Sequence, residues 1–284
     1  MVKRPIAINT NFASRLYPTP KQWMSFAGSE LGFKICELSS DLFDPYLREP
    51  TKTVRINQIL EMCDDIDLQI YSLSLGESLY TQNLLLHPDL GHRITSIGLY
   101  ESLIDISAGL DIYSIGGYLG ADPLNRSQFN QKGYAYAFLE DALLYLTDVA
   151  YEAGISQFHV DISGFNGDLM RIIDVVLNTA KIQITVSCFA DALCGHLRSI
   201  IKSGSNKKKA DDSLVSVLDQ TELILYYRPG SDPNNVVEQI DEMGLSISED
   251  IAVIYTHCLE LNDAKKIEDW KKSVLHTKQL LEDL

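Results

Sequence analysis

The sequence lacks an excess of basic residues. It has 24 lysine and arginine residues against 39 aspartate and glutamate residues, which gives a formal net charge of −15 at pH 7. Proteins that bind nucleic acid or anionic membrane surfaces neutralise phosphates with lysine and arginine, so this balance argues against both kinds of partner. No window of about eighteen apolar residues is free of charges, and we expect no membrane-spanning helix.

Cysteines are few and show no pairing pattern. There are five, an odd number, and no two form a CxxC pair. A disulfide framework is therefore not expected, and the reducing cytoplasm is the default location. The start, MVKRPIAINTN, has no apolar stretch long enough for a secretory signal peptide.

Short apolar runs alternate with longer helical patterns eight times along the chain. Strands separated by helices pair in parallel, and eight such units without a linker favour a closed (β/α)8 TIM barrel, an α/β fold, as one domain over residues 1–284. The alternative is an open doubly wound sheet, but TNFASRLYP after the first run has no glycine for the usual first turn. The predicted strands are Pro5–Asn9, Phe33–Glu37, Leu68–Leu75, Leu110–Ile115, Ser156–Ile162, Ile182–Ser187, Leu223–Tyr227 and Asp250–His257.

The carboxyl ends of barrel strands are where an active site would lie. His159 and Asp161 are two residues apart in the fifth strand, so their side chains leave the same face. If that face lines the barrel, an imidazole and a carboxylate meet at its mouth, where they could bind a divalent metal or move a proton. The alternative is a polar pair that is buried for packing alone.

Two further strand ends carry ionisable groups. Glu37 is a candidate general base or carboxylate ligand, although it could equally pair with a neighbouring cation. His257 shares a face with Tyr255, and its titration near neutrality suits acid–base catalysis, with a core histidine as the alternative. Glu260 follows three residues later and either reaches the same mouth or is a solvated residue at a helix start.

Arg228 ends the seventh strand, and barrels often bind a phosphate near the loops after strands seven and eight. Its guanidinium could hold a phosphate or carboxylate, or form a surface salt bridge instead. Other strand-end groups expected to bind substrate are Asn9, Ser72 and Tyr227. No lysine ends any strand, which disfavours a Schiff-base aldolase, and the sequence has no GxSxG, HExxH, P-loop or zinc-ligand spacing.

Three segments resemble the xylose-isomerase-like TIM barrels. They are ICELSSDLFDP (Ile35–Pro45), LDIYSIGGYLGADP (Leu110–Pro123) and AYEAGISQFHVDI (Ala150–Ile162). This superfamily includes sugar and sugar-phosphate isomerases and epimerases, inosose dehydratases and type IV endonucleases. The low basic content disfavours the endonuclease branch.

The resemblance implies a divalent metal, such as Mn, Mg, Co or Zn, held by four side chains from strands five to eight. Asp161 stands at the strand-five position, Asp191 is the nearest match after strand six, and Glu260 lies slightly beyond strand eight. Tyr226 and Tyr227 stand where the family has a histidine. Because this set is degenerate, the metal is either bound by rearranged ligands or absent.

The leading functional hypothesis is a sugar or sugar-phosphate isomerase or epimerase. Asp161 and Glu37 would flank the reacting carbon, His159 or His257 would assist proton transfer, and Arg228 would hold an anionic end of the substrate. The alternatives are a metal-free lyase or isomerase, and a non-catalytic barrel that binds a small molecule or a protein partner. The resemblance also implies a homo-oligomer.

Overall fold

Eight parallel strands close into a barrel in a computed structural model, which describes residues 5–80, 82–120, 132–163, 167–195, 217–218, 220–242, 249–256 and 264–284. Each strand is hydrogen-bonded to the next, and the eighth pairs with the first. The predicted (β/α)8 architecture is therefore confirmed. The strands are β1 Ile6–Asn9, β2 Ile35–Ser39, β3 Gln69–Ser74, β4 Ser114–Gly117, β5 Gln157–Asp161, β6 Gln183–Phe189, β7 Leu223–Tyr227 and β8 Glu249–Ile254.

Helices follow the strands on the outside of the barrel. Within the described ranges, no helix is both long enough and apolar enough to cross a membrane. The chain is also helical at 190–195, directly after β6. The longer helices are α1 Pro20–Ser25, α2 Thr51–Ile66, α3 Leu90–Gly109, α4 Lys132–Glu152, α5 Gly167–Leu177, α6 Asn234–Glu242 and α7 Ala264–Asp283.

Alternation along each strand separates an outer core from the barrel interior. In β5, Phe158 and Val160 pack in the large core that the helices cover. His159 and Asp161, which alternate with them, are buried on the opposite face and line the interior. The same alternation, which can be read from the sequence of β5, predicts that His159 and Asp161 face the lumen of the barrel.

The interior has an apolar side and a polar side. The apolar side is a separate cluster supplied mainly by β7 and β8, with Ala7, Tyr71, Phe189, Ile224, Tyr226, Ile251, Val253 and Tyr255. The polar side comes from the end of β1 and from β2 to β6. Its buried members include Asn9, Glu37, Ser72, Ser74, Ser114, His159, Asp161, Thr185 and Ser187.

The fourth strand begins four residues later than the sequence pattern predicts. Leu110 closes the end of α3, because its backbone N–H bonds to the carbonyl of Ile106, and Asp111 follows with a φ of 55°. The strand then ends in Gly116 and Gly117, and the φ of Gly116 is 154°. A Cβ there would lie 1.9 Å from the carbonyl oxygen of His159, so only glycine lets β4 approach β5 this closely.

Candidate active site in the barrel interior

Glu37 is the centre of the polar side, and its side chain is completely buried. Asn9 Nδ2 donates to its Oε2 at 2.7 Å. The hydroxyl of Tyr226 donates to its Oε1 at 3.0 Å. Asn9 is fixed in turn, because its Oδ1 accepts from the backbone N–H of Asn11 at 2.8 Å. The carboxylate is therefore held at both oxygens by groups from β1 and β7.

His159 lies against Glu37 inside the barrel. Its Nε2 is 3.7 Å from Glu37 Oε1 and has no hydrogen-bond partner among the described residues. Its Nδ1 is 3.4 Å from the hydroxyl of Ser72 and 3.5 Å from that of Ser114. When these hydroxyls donate to Nδ1, the ring proton sits on Nε2 and points at Glu37.

Burial moves the pKa values of these two groups in opposite directions. It raises the pKa of Glu37 to about 7, although hydrogen bonds from Asn9, Tyr226 and Ser74 lower it, and the charge of Asp161 adds to the rise. Burial lowers the pKa of His159 to about 3. At neutral pH the imidazole is therefore uncharged, while the carboxyl group exists in both protonation states.

Asp161 is the second carboxyl group of the interior. Burial raises its pKa, while Ser163 lowers it through its hydrogen bonds. The backbone N–H of Ser163 donates to Asp161 Oδ1 at 2.8 Å. Because its charge raises the pKa of Glu37, Asp161 lies within electrostatic reach of that residue. The structure thus brings Glu37 and His159 together, with Asp161 within electrostatic reach of Glu37.

Aromatic side chains form the wall opposite these carboxyl groups. The rings of Tyr226 and Tyr255 have centroids 5.4 Å apart, and Phe189 meets Tyr255 edge-on at 5.1 Å. Tyr80 stacks on Tyr118 with ring centroids 4.9 Å apart. Burial, followed by nearby charges including those of Glu37 and Asp161, raises the pKa values of Tyr80, Tyr226 and Tyr255, so their hydroxyls remain protonated.

Among the described residues, the candidates Arg228, Asp191 and Tyr227 do not join this cluster. Arg228 forms a salt bridge with Asp191, and its guanidinium lies 4.5 Å from the centroid of the Phe189 ring. Both side chains of this salt bridge are substantially exposed, at 44% and 63%. Tyr227 packs in the outer core, on the other face of β7 from Tyr226. His257 and Glu260 lie outside the described residues.

No family model matches the sequence, and no curated protein is detectably similar to it. Solved structures are similar along almost the whole chain. A protein of Rhodospirillum rubrum that is provisionally assigned as a xylose isomerase superposes with a TM-score of 0.77 and 16% identity over 99% of both chains. This chain therefore shares the barrel fold of that protein.

Two further solved structures that superpose on this chain are sugar epimerases. The 3-keto-D-glucoside 4-epimerase of E. coli gives a TM-score of 0.65 at 12% identity, over 98% of this chain and 100% of that chain. The D-psicose 3-epimerase of Clostridium cellulolyticum H10 gives 0.63 at 14% identity, over 98% and 99%. Identities this low establish a common fold alone.

The four-ligand metal set implied by the resemblance to xylose-isomerase-like barrels does not form among the residues that the structure describes. No group of three or more His, Cys, Asp or Glu side chains is placed there to hold a metal. Glu37 already accepts hydrogen bonds at both oxygens, Asp191 pairs with Arg228, and Tyr226 occupies the inward end of β7. The donors of the described residues therefore do not fit such a site.

Three members of the cluster receive no catalytic or binding role from sequence reasoning, namely Tyr226, Ser74 and Ser114. A signal for Tyr226 exists in LILYY. Leu223, Leu225 and Tyr227 share one face by the period of two, so an outer position for the two leucines places Tyr226 inside. Two of the expected substrate-binding residues instead contact catalytic candidates, since Asn9 bonds to Glu37 and Ser72 approaches His159.

Proposed function

We propose that this protein is a sugar isomerase or epimerase that moves a proton on the carbon next to a carbonyl group. The observation that supports this most is Glu37, a carboxyl group buried in the barrel with a pKa of about 7 and held at both oxygens. A general base works best when its pKa lies near the working pH. The fold supports the same reading, because sugar epimerases of known structure share it.

Glu37 is the proposed base. Its ionised form takes the proton from the substrate carbon, and the electron pair of the broken C–H bond forms the double bond of an enediolate. Asn9 and Tyr226 keep the carboxylate from turning away, since each holds one oxygen. Fixing a base in this way saves the cost of orienting it during the reaction.

His159 is the proposed hydrogen-bond donor to the developing oxyanion. A neutral imidazole donates from Nε2 without giving up its proton, which stabilises negative charge on the carbonyl oxygen. Nε2 is unpartnered among the described residues and lies 3.7 Å from the Glu37 carboxylate. A base and a donor this close can act on neighbouring atoms of one substrate, the carbon-bound proton and the carbonyl oxygen.

Asp161 is the proposed second proton carrier. Burial raises its pKa above the ordinary value, and in its protonated form the carboxyl group can return a proton to carbon. Return to the opposite face of the same carbon is epimerisation. Return to the neighbouring carbon, with transfer of the hydroxyl proton from one oxygen of the enediolate to the other, is isomerisation. No step in this scheme uses a metal ion. No step uses the Arg228 guanidinium either, which is paired with Asp191.

Deuterium incorporation from D₂O tests the proposal. D-fructose, D-psicose, D-tagatose and their phosphates are incubated with the wild type, and carbon-bound deuterium is followed by NMR. We expect exchange into at least one of them, with a loss of about 10²- to 10⁴-fold in Glu37→Gln, the usual contribution of a general base. Glu61→Gln, at an exposed position of α2, is the matched control and should exchange at the wild-type rate.

Two results would count against the scheme. Wild-type exchange in Glu37→Gln removes that residue as the base. Thermal stabilisation by a sugar of the panel without any exchange indicates a binding protein instead. A comparison of His159→Leu with His159→Gln tests the donor role of His159. Glutamine retains an N–H group, so His159→Gln should keep more activity than His159→Leu.

A further inference from the structure

The inward face of β6 carries two hydroxyl groups beside the proposed catalytic side chains. Thr185 is the register partner of His159, and Ser187 is the register partner of Asp161. The residues between and beside them, Val186 and Cys188, pack in the outer core. Thr185 and Ser187 therefore point into the interior, next to the proposed donor and the second proton carrier.

Both hydroxyl oxygens are buried, and neither has a hydrogen-bond partner among the described residues. Their residues are completely inaccessible to solvent. Buried polar groups are nearly always hydrogen-bonded, and each exception needs a reason. Valine and alanine would fill these two positions without leaving a hydroxyl unsatisfied.

Other serines of the interior have protein partners. The hydroxyls of Ser72 and Ser114 approach His159 Nδ1, and that of Ser74 accepts from Asn9. The β6 hydroxyls differ from these, and His159 Nε2 shares their unsatisfied state. The hydroxyl oxygens of Thr185 and Ser187 on β6 therefore lie on the strand next to β5, which carries His159 Nε2, the proposed donor to the substrate.

We propose that Thr185 and Ser187 determine specificity by hydrogen-bonding two hydroxyl groups of the substrate. This rests on the proposed sugar isomerase or epimerase function. A hydroxyl side chain is neutral and both donates and accepts, which suits another hydroxyl and supplies no charge for a phosphate. Positions two apart on a strand are about 7 Å apart, so the two substrate hydroxyls belong to different carbons of an extended chain lying beside β6.

Thr185→Val and Ser187→Ala test the proposal, because each removes one hydroxyl with little change in shape. The matched control is Ser107→Ala in α3, another completely buried hydroxyl without a partner among the described residues, but outside the barrel. Without a sugar, both β6 variants should unfold at the wild-type temperature or above, since they lose an unsatisfied hydroxyl.

Binding is measured in the Glu37→Gln background, where turnover does not interfere, by thermal shift and calorimetry with the panel sugars and with monodeoxy-D-fructoses. We expect each β6 variant to bind the best panel sugar about tenfold more weakly, and to bind one monodeoxy analogue as well as the parent sugar. In the Glu37-containing enzyme, KM should rise in the same proportion with little change in kcat. Ser107→Ala should bind like its parent.

The outcomes separate this inference from the proposed function. Loss of exchange in Glu37→Gln, with unchanged sugar affinity and unchanged deoxy-sugar discrimination in both β6 variants, upholds the function and overturns the inference. Destabilisation of both variants in the absence of sugar also overturns it, because the hydroxyls would then be satisfied within the protein. A wild type that neither binds nor exchanges any panel sugar overturns both.

Discussion

Glu37 and His159 face each other across the barrel interior, with Oε1 and Nε2 3.7 Å apart and both side chains completely buried. Although an acid and an imidazole at this distance can form an ion pair, burial favours the neutral form of each. Between about pH 3 and pH 7 an uncharged carboxylic acid therefore lies beside an uncharged ring. Deprotonation of Glu37 creates the only charge on this pair.

The stability of the protein should reflect that buried acid. Glu37 has a pKa of about 7 in the folded chain against an ordinary value of 4.5, so the folded state holds its proton more tightly. The resulting contribution is complete below the unfolded value and is lost as the pH rises through about 7. We expect the wild type to lose about 3 kcal/mol relative to Glu37→Gln over this range, measured by urea unfolding at a series of pH values.

His159 contributes with the opposite sign, since its pKa is lowered to about 3. Its contribution is present above the unfolded value of 6.5 and is lost as the pH falls towards 3. Comparing the unfolding free energies of Glu37→Gln and of His159→Gln with that of the wild type at each pH separates the contributions of the two residues. A constant difference between Glu37→Gln and the wild type from pH 4 to pH 8 would show that Glu37 titrates normally.

Tyr226→Phe should shift the pH dependence of activity. The proposed reaction needs ionised Glu37, so kcat/KM should rise with pH through about 7. The Tyr226 hydroxyl stabilises the ionised form, and its removal should move the rising limb upward by about one pH unit. Tyr227→Phe, on the outer face of the same strand, is the control and should leave the limb in place. A Tyr226→Phe limb that coincides with the wild type would refute this role.

Gly116→Ala should be strongly destabilising. Its added Cβ would collide with the carbonyl oxygen of His159, and the backbone has a φ of 154°. We expect a loss of about 2–4 kcal/mol in the free energy of unfolding, from denaturant titration. Gly98→Ala in α3 is the control, because its Cβ has nothing nearer than 4.0 Å and alanine favours a helix. Equal stabilities of the two variants would contradict the close approach of β4 and β5.

Divalent metals should have little effect on this protein. The described residues do not gather three metal-binding side chains, and Glu37 is occupied by protein donors. We expect no rise in the unfolding temperature with Mn, Mg, Co or Zn, and no loss of deuterium exchange after treatment with EDTA. The metal content of the purified protein is measured by elemental analysis alongside the thermal unfolding and the deuterium-exchange experiments. Stoichiometric metal whose removal abolishes exchange would show that the chain binds it with a rearranged ligand set.

The barrel could be predicted from the sequence because the pattern that indicates it is local and is repeated eight times along the chain. Eight apolar runs, each followed by a helical pattern, require parallel pairing, and the same period of two places His159 and Asp161 on one face. The predicted start of β4 was wrong, and the reason is local as well. Leu110 continues the apolar pattern, but its backbone N–H bonds to the carbonyl of Ile106 at the end of α3.

Contacts between distant strands could not be predicted in the same way. Arg228 and Asp191 are 37 positions apart, and only the pairing of β6 with β7 brings them together. The hydrogen bond between Tyr226 and Glu37 crosses 189 positions and depends on barrel closure. The strand-end rule also selected Tyr227 as a substrate-binding residue, although alternation along β7 places Tyr226 inside and Tyr227 in the outer core.

The two-sided lining of the barrel has a stereochemical consequence. A sugar chain presents hydroxyl groups along some edges and C–H bonds along others, and each stereoisomer arranges them differently. For a sugar bound as proposed, hydroxyls turned toward β2 to β6 would find hydrogen-bonding partners, whereas hydroxyls turned toward Ile251 and Val253 would lose water without replacement. The proposed site would then select among diastereomers by orientation before any bond is broken.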